Sequence, residues 1–550
     1  MKTIVSILLF FVVLWSASCS SNSIQEADLI VTNANIWTGN EEQKSANAMA
    51  IIGDSIFAIG TNKEIEKFKG EETEIVNAAG AFITPGFTDT HLHFSPGGVS
   101  LLSLKLGDVK SREELGKRFA EYTKTIEPGT WVLEGNWDET KWGGELPTKE
   151  WIDEYSQENP VVVFRIDGHT VLANSLAMKI SGIDENTADV EGGIIIRNED
   201  GSLTGIFKDK AMSLFDKVPE LTEIEEINAF NASMNYLSSN GVTSVHDMNG
   251  VNESYRVAKM FRDSGNLSVR IYAGSPLNTW NELLSMDRTN DKWLKIGCLK
   301  GFIDGSLGSH TAAFQEAYTD NPHDHGLFTV STTDLYQSVS DADNQNLQVM
   351  IHAIGDSAIN KVLDIYDRVI KEHGVKDRRF RIEHAQHILP SDIKRFADLG
   401  VIASMQPYHA IDDGRWAEEL IGPERAKSSY AFKSLLDANA IITFGSDWPV
   451  APATPLEGIY AAVTRRTLDG KNPNGWVPEQ KITVEQALIA YTKSAAYASF
   501  DEKIKGTLEP GKLADFVLIS EDLTKVDPVR IKDLKIMATY VGGKKVFERK

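Results

Sequence analysis

At 550 residues, 42% hydrophobic and 24% charged, the chain has the make-up of a folded globular protein. Its length suits one large barrel with an accessory domain, or two to four average domains. A formal net charge of −22 excludes nucleic acid as a partner, since no basic stripe is available to neutralise phosphates, and it disfavours charge-driven docking onto anionic lipid.

Lys2 precedes an apolar run, Ile4 to Leu14, that is short for a bilayer span, and Ser16-Ala17-Ser18 leads into Cys19. The segment resembles a bacterial lipoprotein signal, with Ser16 where leucine is usual. It predicts cleavage of residues 1–18, lipidation of Cys19, a tether over 19–26, and an exported protein held on the membrane through its lipid alone, facing the periplasm or the exterior. Plain secretion with an incidental Cys19 is the alternative. The only other cysteine is Cys298, so a mature chain beginning at Cys19 has no scope for a framework of internal disulfides. Cys298 sits in an apolar run and is expected to be packing.

Residues 27–82 read as short strands separated by Gly-containing turns, and residues 501–550 have the same texture. Two β-rich ends predict one small β-sandwich domain built from both termini. Between them, over 83–500, eight strand candidates can be counted. They are Phe82–Thr84 running on to His91, Val242–His246, Ser268–Tyr272, Cys298–Ile303, Gln348–His352, Phe380–His384, Val401–Met405 and Ile441–Phe444. Helical patterns, Ile224 to Ser239 and Ala358 to His373 among them, separate several; Ser357 is the expected N-cap of the second. The spacing from His352 to His384 is 384 − 352 = 32 residues, close to the roughly 30 per unit of a (β/α)₈ TIM barrel. Between the first two strands, about 95–220, lies an inserted subdomain carrying its own strands near Trp131–Trp137, Val161–Asp167 and Glu191–Arg197.

Groups that could bind metal recur where these strands close. His91 and His93 are two apart and project from one face; Lys300, His352 and His384 lie on strands four, five and six, and Asp447 closes strand eight. Such residues at strand ends sit where a barrel presents its chemistry.

The run Ile83-Thr-Pro-Gly-Phe-Thr-Asp-Thr-His-Leu-His93 resembles the first metal-binding strand of the amidohydrolase superfamily. The resemblance extends over nearly the whole mature chain. More specifically it resembles the YtcJ-like group, which contains N-substituted formamide deformylases, through Asp167–Asn174, Lys300–Gly308, Ser404–His409 and Gly445–Val450. The resemblance implies one divalent metal, zinc first, on His91, His93 and Asp447, and a second on His352 and His384. Lys300, N-carboxylated, would bridge a binuclear pair, since a free ammonium has no lone pair to give. It further implies hydrolysis of an amide, formamide or cyclic amide C–N bond in a small molecule by metal-activated hydroxide, with Asp447 as general acid and base. Hydrolysis of an ester, lactone or phosphotriester at the same site, or a catalytically silent binding protein, are the alternatives. A homodimer is expected only from the commonness of two-fold assemblies.

Plainer roles compete for these residues. Lys300 could be a partly exposed strand lysine, and Asp447 a helix N-cap before Trp448-Pro449. His169, His409 and Gln406 are expected at the substrate. His246 is expected either at the pocket or in packing, His310 and His387 near the mouth, and His323, His325 and His373 in solvent. Trp137 and Trp142 are expected to form the insertion's own core.

Overall fold

The computed structural model describes residues 25–286 and 288–550; Cys19 and the segment expected to be its signal lie outside them. Eight parallel strands form the central sheet: β1 (Phe87–Leu92), β2 (Val242–Asp247), β3 (Arg270–Pro276), β4 (Leu294–Phe302), β5 (Gln348–Ala353), β6 (Arg381–His384), β7 (Ile402–Met405) and β8 (Ile442–Phe444). They neighbour one another in sequence order, with helices such as Glu223–Ser239 and Asp356–His373 on the outside. β2, β5 and β6 are buried along their whole length, and Val245, Ile351 and Ile382 supply part of the apolar core, which explains why these strands read as largely apolar runs.

Closure between β1 and β8 is made above the strands. The amide of Asp447 donates to the His91 carbonyl at 2.7 Å, and that of His93 donates to Trp448 at 2.8 Å. The seam of the barrel therefore clamps Asp447 against the first histidine pair. Asp447 lies three residues beyond the last residue of β8, not at its end, and no helix follows it directly; the N-cap alternative is thereby removed.

The chain ends build two further sheets. One contains Leu29–Thr32, Ala48–Ile52, Ser55–Gly60 and Glu74–Asn77; the other joins Asn35–Trp37, Ser45–Ala46 and Phe82–Pro85 to Phe516–Ile519, Ile536–Val541 and Lys544–Glu548. Val31, Ile36, Met49, Ile83 and Phe516 are buried between them. The single strand expected from Phe82 to His91 is in fact two, each in a different sheet. Pro85 cannot donate to a continued ladder, and Gly86 donates to the Asp515 carbonyl at 2.9 Å. A Cβ at Gly86 would stand 2.2 Å from Thr243 Oγ1, so the chain passes from sheet to barrel where only glycine fits.

The insertion forms a five-stranded sheet, in the order Gly193–Arg197, Leu203–Asp209, Thr170–Ala173, Val161–Arg165, Val132–Trp137. Trp137 is buried on one face with Leu106 and Phe119, and Trp142 packs against the same cluster, as expected of an internal core. Helix Phe94–Leu102 packs instead on the barrel helix Glu223–Ser239, with the Phe94 and Phe230 rings 4.7 Å apart. The insertion thus starts after Leu102, not at about 95. Helix Asp356–His373 is capped at Gly355, so Ser357 lies within its first turn. Among the described residues, no helix is long and apolar enough to cross a membrane.

Candidate metal centre

A cavity of about 520 Å³ opens above the C-terminal ends of the strands. Its lining includes His91, His93, Lys300, His352, His384 and Asp447, side chains drawn from β1, β4, β5, β6 and the segment after β8. His169 and His409 line it as well. The donor atoms of His91, His93 and Asp447 lie within 4.8 Å of one another, and so do those of His384, His409 and Asp447. Asp447 belongs to both groups, at 3.4 Å from His91 Nε2, 3.4 Å from His93 Nε2 and 4.0 Å from His384 Nδ1. His352 adjoins the second group, with its ring 4.5 Å from that of His384.

Backbone shape contributes to this convergence. His384, Ala385 and Asp447 have left-handed φ values of 70°, 46° and 61°. Non-glycine residues rarely adopt them, and they concentrate where a site over-determines the chain. They fall where β6 ends and where the barrel closes.

Hydrogen bonds specify which nitrogen of each ring faces the cavity. His91 Nδ1 meets Glu383 Oε2 at 2.5 Å, so Nδ1 carries the proton and Nε2 presents a lone pair. That Nε2 is buried and makes no hydrogen bond. His384 Nδ1 lies 3.0 Å from Gln406 Oε1, which likewise leaves Nε2 as the acceptor. His352 Nε2 donates to the Gly305 carbonyl at 3.1 Å, leaving Nδ1. His409 Nε2 is also buried without a partner. Imidazole rings gathered around a shared carboxylate, with His91 Nε2 left unsatisfied by the protein, fit a divalent cation of the zinc class.

Charges around the cavity are tuned by burial and by partners. Burial pulls His91 down to about 4, so the ring is neutral and available as a ligand. Burial opposes the charge of Asp447, yet the hydrogen bond from His93 and the adjacent His91 and His384 hold its carboxyl well below the usual range. Lys300 is buried over the Phe302 ring, 4.3 Å from its centroid, and burial brings its ammonium down to about 8 against the pull of Glu383 and Asp447. The exposed-strand alternative for Lys300 does not hold.

Several partners escaped sequence reasoning. Arg381 is fully buried and grips Glu383 through Nε at 2.7 Å and Nη2 at 3.0 Å. Asp304 accepts the backbone amides of Ala313, Ile354 and Gly355 at 3.0, 3.1 and 2.8 Å, anchoring the segment after β5 beneath His352. From the insertion, Asp167 accepts the Ser309 hydroxyl at 2.7 Å, which fastens the insertion to the segment after β4, and Arg165 Nη1 of the same insertion at 2.6 Å holds the carboxylate. His169 Nδ1 pairs with Asp209 Oδ1 at 2.9 Å. Burial opposes the His169 charge, but Asp209 and Asp167 outweigh it and raise its pKa.

Gln406, expected at the substrate, is fully buried and is not among the residues lining the cavity; it orients His384 instead. His246 is packing: its Nδ1 accepts from Arg381 Nη1 at 2.8 Å beneath the cavity. His387 is buried and bonded to Ser429. His310 stacks on Tyr318. His373 is not free in solvent but pairs with Asp343 at 2.7 Å.

The model of the Amidohydro_3 family, described as an amidohydrolase family, matches residues 74–547. The chain belongs to this amidohydrolase family. Protein LONG AFTER FAR-RED 3 of Arabidopsis thaliana is 40% identical over 539 residues, covering 95% of this chain and 92% of its own. N-substituted formamide deformylase of Arthrobacter pascens is 26% identical, covering 96% of this chain and 99% of its own. An uncharacterised metal-dependent hydrolase from Pyrococcus horikoshii superposes with a TM-score of 0.75 at 28% identity, over 91% of this chain and 99% of its own. Family, barrel and donor clusters agree: this is a metal-dependent hydrolase of the amidohydrolase family.

Proposed function

We propose that the protein hydrolyses a non-peptide C–N bond, in an amide, formamide or cyclic amide, of a small molecule. The observation that carries this is Asp447, whose carboxylate stands within reach of both histidine groups on the wall of the cavity. The similarity to a formamide deformylase over almost the full chain supports the bond type.

His91, His93 and Asp447 would hold one cation and His352 and His384 a second, with carboxylated Lys300 as the bridging ligand. Lys300 with a pKa near 8 keeps a fraction of free amine at neutral pH, which is the form that reacts with carbon dioxide. A bound divalent cation supplies Lewis-acid polarisation of a carbonyl and a water made acidic, for zinc from about 15.7 to about 7. Asp447 takes the proton released by the attacking water and returns it to the departing nitrogen, because an amide anion leaves poorly. His409, with its free Nε2 beside Asp447, and His169, with Asp209 behind it, contact the polar atoms of the substrate. Gln406 keeps the His384 ring aimed.

A panel of N-formyl, N-acyl and cyclic amides, with esters, lactones and phosphotriesters as controls, tests the bond class in metal-reconstituted protein. Turnover confined to the controls would refute it. Lys300→Ala should lose metal, with partial recovery by short carboxylic acids; an unmodified Lys300 in fully loaded protein would refute the bridge. His409→Gln should keep its metal and lose turnover.

The small-molecule cavity and the net charge of −22 support a small-molecule substrate and no nucleic acid as partners; a two-fold homodimer rests only on the commonness of such assemblies, and sedimentation as a monomer would refute it. We also propose export and anchoring of the chain through lipid on Cys19. Cys19→Ser should move the protein from the membrane to the soluble fraction, and unchanged fractionation would refute the anchor.

A further inference from the structure

His91 is held by a chain of polar side chains that runs from the cavity down into the barrel interior. Arg381 and Glu383 are alternate residues of β6, so both project to the same side of the sheet, into the barrel. Glu383 accepts three N–H groups: Arg381 Nε at 2.7 Å, Arg381 Nη2 at 3.0 Å and His91 Nδ1 at 2.5 Å. Arg381 Nη2 also donates to the Thr90 carbonyl at 2.7 Å and Ser404 Oγ at 2.9 Å, which ties it to the residue before His91 and to β7. Its Nη1 donates to His246 Nδ1 at 2.8 Å.

The proton direction along this chain is forced. A guanidinium only donates, so His246 accepts at Nδ1 and is neutral. A carboxylate only accepts, so His91 donates from Nδ1 and its lone pair is on Nε2, facing Asp447. A charged pair buried this deeply is costly to desolvate and is a poor source of stability, so its presence calls for another role.

We propose that Arg381 and Glu383 are positioning residues that fix the tautomer and aim of His91 for a divalent cation. Glu383 supplies the acceptor that keeps the proton on Nδ1 and the lone pair on Nε2, and Arg381 holds Glu383 in place. The inference rests on the cation centre proposed above.

Glutamine at position 383 has one acceptor oxygen, and its amide would present a donor to Arg381 or to His91. Glu383→Gln, compared with wild type by zinc competition against a chromogenic chelator, should bind zinc 10- to 100-fold more weakly, the range found when an outer partner of a ligating histidine is removed. Zinc affinity within threefold of wild type would overturn the proposal. Should Glu383→Gln fail to fold, the metal-free wild-type protein decides. ¹⁵N-histidine NMR, with the His91 signal assigned by its loss in His91→Gln, should show the proton on Nδ1; a proton on Nε2 would overturn the proposal. A wild-type protein that takes up no divalent metal, with His91 protonated on Nδ1 all the same, would sink the cation centre and this inference with it.

Discussion

Two buried arginine–carboxylate pairs lie in the same barrel and differ in what they leave unsatisfied. At the base of β3, Arg270 donates to Asp515 from Nε at 2.7 Å and Nη2 at 2.8 Å, and to the Lys292 carbonyl at 2.8 Å. The amide of Gly542 completes Asp515 at 2.7 Å. That pair joins the barrel to the sheet built from the chain ends; Arg270 lines only a small cleft of about 10 Å³, and neither residue lines the 520 Å³ cavity. Arg381 and Glu383, beneath the mouth, pass their bonding on to His91, whose Nε2 ends without a partner. A closed network of buried charge is scaffold; one that ends on an unsatisfied lone pair beside a cavity is part of a site.

That contrast can be broken or sharpened by mutation. Asp447→Asn should lower turnover by about 10²- to 10⁴-fold, the usual share of general acid–base catalysis, without lowering the melting temperature. Steady-state kinetics beside a thermal melt would show it, and near-wild-type turnover would refute the base assignment. At the closed pair, Arg270→Met leaves Asp515 buried and uncompensated, with an expected loss of about 3–5 kcal/mol in denaturant unfolding. Zinc affinity of the folded fraction should not change there; a weakened affinity would erase the distinction between the two pairs. Asp167→Asn removes the charge that receives Ser309 and Arg165, and should cost about 1.5–3 kcal/mol of hydrogen bonding to a charged group. Its kinetic signature should be a raised KM with kcat little changed, because the insertion walls the cavity and holds none of the proposed metal ligands. The smallest effect should come from Cys298→Ala. That thiol is buried with Met248, Tyr272 and Met350, and burial raises it to about 12. Loss of about 0.5–1.5 kcal/mol, as for one buried methyl-sized group, and no change in turnover are expected.

Much of this architecture was legible in the chain. The His91-Leu92-His93 pair that follows Pro85-Gly86-Phe87, the strand spacing and the two β-rich ends pointed to the barrel and its accessory sheets, because apolar strand runs and turn residues act locally. What escaped depends on long-range geometry. The change of sheet at Gly86 is set by contacts with Thr243 and Asp515, more than a hundred residues away. Asp447 reads as the end of β8, yet it lies three residues on, in the seam that closes the barrel. Gln406 lies in a run shared with the family, but which way its amide faces is decided by His384. Arg381 and Glu383 did leave a signal: two charges at alternate positions of a strand otherwise buried on both faces. Such a pattern is costly unless the charges meet each other and something more.

The most direct test of the whole account is anomalous diffraction at the zinc edge from crystals of the reconstituted protein. A peak is expected about 2.0–2.2 Å from His91 Nε2, a His93 ring nitrogen and an Asp447 oxygen. A loaded protein whose peak lies away from these three side chains, or crystals with none, would contradict it.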